Sequence, residues 1–235
     1  MNLDKEEGKQ IEIANWFDET YKVKEFKYLR PIEAYEIFLT ILNPKKNQTH
    51  LDIACGLGLL LRVLNNNGVD SFGIDISTVA VDKAKALNPE SQIRQSNAEE
   101  LPYEDKTFDS VSCIGSIERM LDREKVLQEQ YRVGKENARY LFMVRNSNHW
   151  LWKYIQKPFG LYNKDGHQDA MNKEEWTALF RANGFEIAGV YPDHWPFLKV
   201  MSTLLPFVKW NYSRLRKFPR PVHTAYELIF LLQKS

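Results

Sequence analysis

The stretch Leu51-Asp52-Ile53-Ala54-Cys55-Gly56-Leu57-Gly58 decides the fold. A short apolar strand ends in a turn with two glycines, and an apolar helical pattern follows. Glycines permit left-handed backbone conformations and leave no Cβ to hold a ligand away from the backbone. The start of the next helix offers unpaired N–H groups to an anionic group. The sequence therefore predicts a ligand site built from a strand, a turn and a helix.

Strand and helix patterns alternate along the chain around this turn. Buried-strand patterns occur at residues 50–54, 70–76, 93–96, 108–114, 139–145, 185–191 and 226–232. Helical patterns occur at residues 11–42, 57–64, 78–87, 123–133 and 173–183. Strands that alternate with helices form mainly parallel sheets with both faces covered. We therefore predict an α/β fold with a doubly wound, mostly parallel sheet, helices on both faces and helical insertions.

The chain divides into four segments on this pattern. Residues 1–45 are helical, residues 46–145 carry the core with the glycine turn, residues 146–171 form an aromatic insertion, and residues 172–235 complete the core. The last segment contains a second insertion, basic and aromatic, at residues 192–222. Insertions at the C-terminal ends of strands build the binding site of a doubly wound sheet.

Composition excludes several classes of protein. The 235 residues include 32 Lys+Arg and 31 Asp+Glu, for a net charge of +1, which argues against a nucleic-acid binder. Two cysteines cannot form a disulfide framework, and neither a signal peptide nor a membrane-spanning run is seen. We therefore expect a cytoplasmic protein. No histidine has metal-ligand spacing with another His, Cys or carboxylate, so we predict no metal site.

Two carboxylates narrow the choice of ligand. Asp75 stands seventeen residues after Gly58, at the end of the second strand, where it can accept the hydroxyls of a ribose. Position 61 is Leu, although a dinucleotide-binding turn needs a third glycine there. Asp52 would repel a pyrophosphate and attract an ammonium or sulfonium group. This favours S-adenosylmethionine (SAM) and leaves a nicotinamide-dependent oxidoreductase as the alternative enzyme.

Four motifs together resemble those of class I SAM-dependent methyltransferases of the small-molecule group. They are residues 51–58, residues 73–77, residues 97–103 with 107–111, and residues 113–119. The resemblance implies a Rossmann-like sheet with an antiparallel final strand. It also implies a set of cofactor-binding residues: Asp52, Ala54, Cys55, Gly56, Gly58, Asp75, Ile76, Asn97, Ala98, Glu99 and Ile114. Three positions depart from the family pattern, since Ala54 replaces a frequent Gly, Asn97 a frequent Asp and Arg119 a common His.

The activity implied is methyl transfer from SAM to an oxygen or nitrogen of a small-molecule acceptor, with S-adenosylhomocysteine (SAH) as the product. A sugar and a lipid-linked intermediate are among the acceptors that suit an aromatic, basic lid. His167 is the first candidate for the base that takes the acceptor's proton, because some relatives place an active-site His there, and His149 is the second. A non-catalytic partner subunit with the same fold remains a further alternative.

Three other features carry weaker expectations. The basic, aromatic insertion at residues 192–222 is interpreted first as a solvated cover, and then as a contact for a membrane surface or a lipid-linked substrate. Trp16, Tyr21 and Tyr28 are predicted to close over the cofactor, like the N-terminal lid of relatives. His50, just before a strand, is predicted to be structural.

Overall fold

The computed structural model describes residues 3–161, 169–204 and 221–235, and its strands form one sheet. The strands are β1 (Thr49–Ile53), β2 (Asp70–Asp75), β3 (Gln92–Gln95), β4 (Phe108–Ile114), β5 (Gly134–Arg145), β6 (Phe185–Pro192) and β7 (Glu227–Lys234). Their order is β3-β2-β1-β4-β5-β7-β6. β1 to β5 are parallel, and β7 is antiparallel to β5 and β6. The α/β, doubly wound, Rossmann-like fold with an antiparallel final strand is confirmed.

Seven α-helices in the described residues connect and cover these strands. They are α1 (Leu3–Val23), α2 (Glu36–Leu42), α3 (Leu59–Asn66), α4 (Thr78–Leu87), α5 (Arg123–Val133), α6 (Lys173–Ala182) and α7 (Trp195–Leu204). Side-chain caps fix where α4, α5 and α6 begin: Ser77, Asp122 and Asn172 each accept a backbone N–H of the first turn. At α6, Glu175 completes the capping box that the sequence predicts.

The sheet is buried on both faces by helices. Neighbouring residues on its central strands point in opposite directions, so each strand contributes side chains to two cores. On β5, Phe142 packs into the core below α5 and α6, whereas Leu141 packs into the core below α2 and α3. Phe230 and Ile229 divide in the same way on β7. This two-sided burial explains why the strands appear as continuous apolar runs in the sequence.

The structure corrects two boundaries. The helical pattern of residues 11–42 is not one helix, because short 3-10 turns at Glu25–Tyr28 and Ile32–Tyr35 separate α1 from α2. Pro31 disfavours a helical conformation for the residue before it, which accounts for the break. β5 begins at Gly134, five residues before the predicted start. No described helix is both long and apolar enough to cross a membrane.

Candidate active site

The turn after β1 is built from left-handed residues. Ala54, Gly56 and Gly58 have φ angles of 55°, 54° and 76°. A Cβ at Gly56 would lie 2.9 Å from the Tyr21 hydroxyl oxygen, and a Cβ at Gly58 would lie 2.5 Å from Asn88 Nδ2. Both glycines are therefore required by the space around them as well as by the backbone conformation.

Asp75 fastens this turn to the end of β2. One carboxylate oxygen accepts a hydrogen bond from the Gly56 N–H at 2.8 Å, and the other accepts from the Ser77 N–H at 2.9 Å. Burial raises the pKa of Asp75 to about 6, although these two N–H groups oppose the shift. Each carboxylate oxygen has two acceptor sites, so both retain capacity for a ligand hydroxyl.

Asp52 is a buried carboxylate at the same end of the sheet. Its side chain lies on β1 with 3% of the residue exposed, and the Ser112 hydroxyl donates to it at 2.5 Å. Burial and, to a smaller extent, the nearby Asp75 raise the pKa of Asp52 to about 7, although the Ser112 hydroxyl opposes the shift. Among the described residues, Asp52 takes part in no ion pair. A cationic ligand would supply the missing counter-charge.

A cavity beside the glycine turn, here called the turn cavity, lies between α1 and the C-terminal ends of β1 and β2. Its empty volume, which includes space open to solvent, is about 640 Å³. Its lining comes from α1, the turn and the loops after β2, β3 and β4: Gln10, Ile13, Phe17, Tyr21, Ala54, Ile74, Asp75, Ile76, Ser96, Asn97, Ala98, Glu99, Ser116, Arg119, Met120 and Leu121.

A second and larger cavity, here called the Arg145 cavity, lies over the C-terminal ends of β4 and β5. Its empty volume, which includes space open to solvent, is about 1610 Å³, and Ile114, Glu118 and Arg145 are part of its lining. Arg119 is in the lining of both cavities, so the two lie on either side of this residue. Burial raises the pKa of Glu118, which places this carboxyl closer to neutrality than an exposed glutamate.

Polar side chains from distant segments form the floor of the Arg145 cavity. Arg145 donates to the Tyr226 hydroxyl at 2.9 Å, and that hydroxyl donates to the Gln156 side-chain oxygen at 2.8 Å. Glu227 joins the two guanidinium groups, with Arg30 at 3.0 Å and Arg145 at 3.4 Å. The floor is therefore a fixed hydrogen-bonded network that can orient a polar ligand.

The structure brings most of the predicted cofactor residues together. Six of them line the turn cavity, namely Ala54, Asp75, Ile76, Asn97, Ala98 and Glu99. Gly56, Gly58 and Cys55 form the turn behind it, and Cys55 is buried. Ile114 lines the Arg145 cavity instead. Among the described residues, Asp52 and His149 are in the lining of neither cavity, and His167 lies outside the described residues.

Comparison with known proteins identifies the chain. Residues 51–142, which run from β1 into β5, match the model of the methyltransferase domain family. The chain is a class I SAM-dependent methyltransferase. The glycine turn, the Asp75 carboxylate and the first five parallel strands all lie within or at the edge of the matched residues. This assignment decides between the two enzyme classes that the sequence left open.

Relatives of the chain include two named methyltransferases. A ubiquinone biosynthesis O-methyltransferase of Coxiella burnetii is 26% identical over 224 residues, which cover 90% of this chain and 95% of that one. A norajmaline N-methyltransferase of Rauvolfia serpentina is 36% identical over 101 residues, which cover 40% of this chain and 35% of that one. One of these relatives is named as an O-methyltransferase and the other as an N-methyltransferase.

Solved structures share the fold. A complex of the Haloferax volcanii Trm112 methyltransferase activator with a methyltransferase matches 96% of this chain and 97% of that chain, with a TM-score of 0.66 and 18% identity. Magnesium protoporphyrin IX methyltransferase of Synechocystis, solved with bound SAH, matches 87% and 82%, with a TM-score of 0.61 and 14% identity. At such identities the likeness concerns the fold alone.

The residues of the methyltransferase fit SAM. The Asp75 carboxylate keeps acceptor capacity in the turn cavity, and the glycine turn leaves no side chain between the backbone and a ligand. Asp52 is a buried acid without an ionic partner among the described residues, which suits a ligand that carries positive charge. Carboxylate acceptors for hydroxyl groups and for a positive charge suit a nucleoside with a cationic tail.

Sequence reasoning missed several residues of the methyltransferase's two cavities. The sequence did not predict Glu118 and Arg145 as site residues, although both line the Arg145 cavity and Glu118 lies in the motif at residues 113–119. Gln10 was missed as well, and its side-chain oxygen accepts from the Asn97 amide at 2.6 Å. The available signal was the placement of Glu118 and Arg145 at the ends of β4 and β5, because strand C-termini meet at one edge of the sheet.

Proposed function

We propose that the methyltransferase binds SAM in the turn cavity and transfers its methyl group to an oxygen or nitrogen of a small-molecule acceptor in the Arg145 cavity, releasing SAH. The observation that supports this most is the position of Arg119 in the lining of both cavities, with Asp75 in one lining and Glu118 in the other. The names of the two relatives, one an O-methyltransferase and one an N-methyltransferase, agree with either acceptor atom.

Each part of the cofactor has its proposed contacts. Asp75 holds the ribose hydroxyls, because it ends β2 and lines the cavity. Asp52 and the turn residues hold the amino-acid end: Ala54, Cys55, Gly56 and Gly58. The loop residues hold the adenine: Ile76, Asn97, Ala98 and Glu99. Ile114, at the end of β4, contributes its backbone carbonyl and packing.

The protein's main contribution is alignment. Bound SAM supplies a methyl group already activated by a positively charged sulfur. Correct placement of two reacting groups is worth about 7–11 kcal/mol of the barrier. A positioned base adds a factor of about 10²–10⁴. The rigid turn and the hydrogen-bonded floor of the Arg145 cavity would provide that placement.

Three residues are proposed for the acceptor's proton: His167, His149 and Glu118. His149 lies beside the Tyr226 ring, with centroids 5.1 Å apart, and its Nδ1 accepts from the Leu151 N–H at 3.2 Å. Glu118 lines the Arg145 cavity and has a raised pKa. The pH–rate profiles of H167Q, H149Q and E118Q would identify the base. Its removal should lower kcat about 10²–10⁴-fold and abolish the acidic limb.

The acceptor is proposed to be a sugar-linked, lipid-linked or similarly small metabolite rather than a nucleic acid, in line with the net charge of +1. Exposed aromatic side chains at Trp150, Tyr154 and Phe159 precede two residues of the Arg145 cavity lining, Gly160 and Leu161.

Peripheral contact with a membrane or lipid-linked substrate through residues 192–222 stays a prediction, since residues 205–220 lie outside the described part. Co-sedimentation of the full chain with anionic and with zwitterionic vesicles tests it.

Asp75→Ala tests the cofactor assignment. Loss of hydrogen bonds to a charged group should weaken SAM binding by about 1.5–3 kcal/mol, measured by calorimetry. Asp70→Ala is the matched control, because Asp70 begins the same strand and is exposed. Unchanged affinity in Asp75→Ala would remove this residue from the site.

Isotope-labelled SAM identifies the acceptor. The protein is incubated with a pool of metabolites, and the compounds that gain a labelled methyl group are found by mass. We expect a small molecule with a free hydroxyl or amino group to be labelled. Labelling of nucleic acid alone would contradict the proposal.

A further inference from the structure

A column of buried polar side chains runs between β1 and β4 and ends at Asp52. The register of the two strands places His50 opposite Ser110 and Asp52 opposite Ser112. His50 is fully buried, with Nδ1 at 2.8 Å from the Ser110 hydroxyl oxygen and Nε2 at 2.8 Å from the Ser112 hydroxyl oxygen. Ser112 in turn donates to Asp52 at 2.5 Å.

Hydrogen counting fixes the direction of this chain. A serine hydroxyl has one hydrogen, so Ser112, which donates to Asp52, must accept from His50. His50 then carries its proton on Nε2, and its Nδ1 accepts from Ser110. If Asp52 gains a proton and donates to Ser112, every bond reverses and the His50 proton moves to Nδ1. The tautomer of His50 therefore reports the charge of Asp52.

We propose that His50 and Ser112 are positioning residues that keep Asp52 ionised for the cationic end of the cofactor while adding no positive charge beside it. This rests on the proposed placement of that end of SAM at Asp52. An arginine or lysine in place of the histidine would also hold the carboxylate ionised, but it would repel the ligand's own charge. Burial lowers the pKa of His50 to about 3, so the ring stays neutral.

In the part of the chain that the structure describes, the other titratable groups around Asp52 give it no positive partner. Those that interact with it include Asp75 on β2, Tyr35 before α2, Cys55 after β1 and Cys113 on β4. Each of these is neutral or negative. The neutral chain through Ser112 is therefore the contact that favours the ionised form of Asp52.

Calorimetry of SAM binding to the full chain between pH 5.5 and 9 tests the proposal. In the natural protein, affinity should fall by up to about tenfold per pH unit below the titration of Asp52. Ser112→Ala removes the donor and should move this midpoint upward by about one pH unit, with affinity recovered at pH 9. Ser112→Thr keeps the hydroxyl and His50→Gln keeps an N–H towards Ser112, so both should restore the midpoint, whereas His50→Leu should not.

Nitrogen NMR of His50 in the unaltered protein gives a readout that no variant's folding can affect. We expect the proton on Nε2 above the midpoint and on Nδ1 below it, and SAM should extend the Nε2 form to lower pH. An unchanged tautomer from pH 5.5 to 9, or an unmoved midpoint in Ser112→Ala, would overturn the proposal.

Asp52→Asn separates this proposal from the assignment of the cofactor site. If Asp52→Asn loses the pH dependence near 7 and keeps only that of Asp75 near 6, while the Ser112→Ala midpoint stays that of the natural protein, the role of His50 and Ser112 is wrong and the assignment of Asp52 stands. If Asp52→Asn keeps the natural affinity and pH profile, Asp52 is not at the cofactor and the assignment itself fails.

Discussion

Ala54 is a non-glycine residue in a left-handed conformation at the centre of the site. Its φ of 55° matches those of its glycine neighbours, and its methyl group lines the turn cavity. A left-handed conformation costs a residue with a Cβ about 1–2 kcal/mol. The family resemblance singled out this position from the sequence, because a glycine is frequent there. The strain itself is visible only in the backbone.

Ala54→Gly should relieve this strain. We expect the free energy of unfolding to rise by up to about 1 kcal/mol, since the greater flexibility of glycine in the unfolded chain offsets part of the gain. Urea denaturation measures the change. Ala178→Gly is the control: Ala178 is exposed within α6, where the same substitution should cost about 1 kcal/mol. If Ala54→Gly and Ala178→Gly were destabilised equally, the left-handed conformation of Ala54 would not be strained.

Asp52→Asn should change the pH dependence of stability. The folded pKa of Asp52 is about 7, above its ordinary value of 3.8. The stability that its protonation contributes is present below the unfolded pKa and is lost as pH rises through 7. Asparagine carries no charge, so the variant's stability relative to the natural protein should increase by about 1–3 kcal/mol between pH 5 and pH 8.

Urea titrations of the free protein at both pH values measure this difference. His50, with its lowered pKa, gives a slope of the opposite sign, but it is present in both proteins and cancels to a first approximation. A difference that stays constant with pH would mean that Asp52 is already ionised at pH 5.

At the scale of elements, local patterns were enough for the site's framework. The glycine turn, β1, β2 and α4 are each encoded within a dozen residues, so their sequence predicted them closely. β5 was predicted late because its first part carries exposed polar residues and its pairing with β4 shifts register between Phe108 and Ser110. A bulged, polar stretch has no alternation by which to recognise a strand.

α1 is held over the turn cavity by contacts with polar groups that are remote in sequence. Asp18 accepts from the Ser77 hydroxyl at 2.5 Å and from the Val79 N–H at 3.2 Å, at the N-terminus of α4. Tyr21 packs on Gly56, and Gln10 engages Asn97. These contacts show how a helix from the start of the chain completes the turn cavity.

Asp18→Ala should loosen this helix. The loss of a charged acceptor at the start of α4 should cost about 1 kcal/mol and increase hydrogen exchange over residues 8–23. We also expect faster release of SAM, measured by stopped-flow fluorescence, because α1 forms one side of the turn cavity. Glu19→Ala is the control, since Glu19 is largely exposed and pairs with Lys22. Equal exchange in the two variants would show that Asp18 does not hold α1.

At the scale of the whole molecule, the Arg145 cavity shows what sequence could not reveal. Arg30, Arg145 and Glu227 are linked by ion pairs although they lie up to 197 positions apart. They meet because β7 lies beside β5 in the sheet, and because Arg30, which precedes α2, contacts Glu227 at the start of β7. A sequence pattern records spacing along the chain, and these contacts depend on strand order alone.

Cofactor binding should stabilise the whole chain, because the turn cavity joins α1 to β1, β2 and the loops after β3 and β4. A ligand that binds only the folded state at 100 times its Kd adds about 2.7 kcal/mol. For a chain of this size each kcal/mol raises Tm by about 2–4 °C, so SAH should raise Tm by about 5–10 °C. Calorimetry with SAH, SAM and NAD at equal concentrations measures this change in Tm.

Asp75→Ala should reduce the Tm shift with SAH, while NAD should give no shift. An equal shift with NAD would mean that the carboxylates of the turn do not select against a diphosphate.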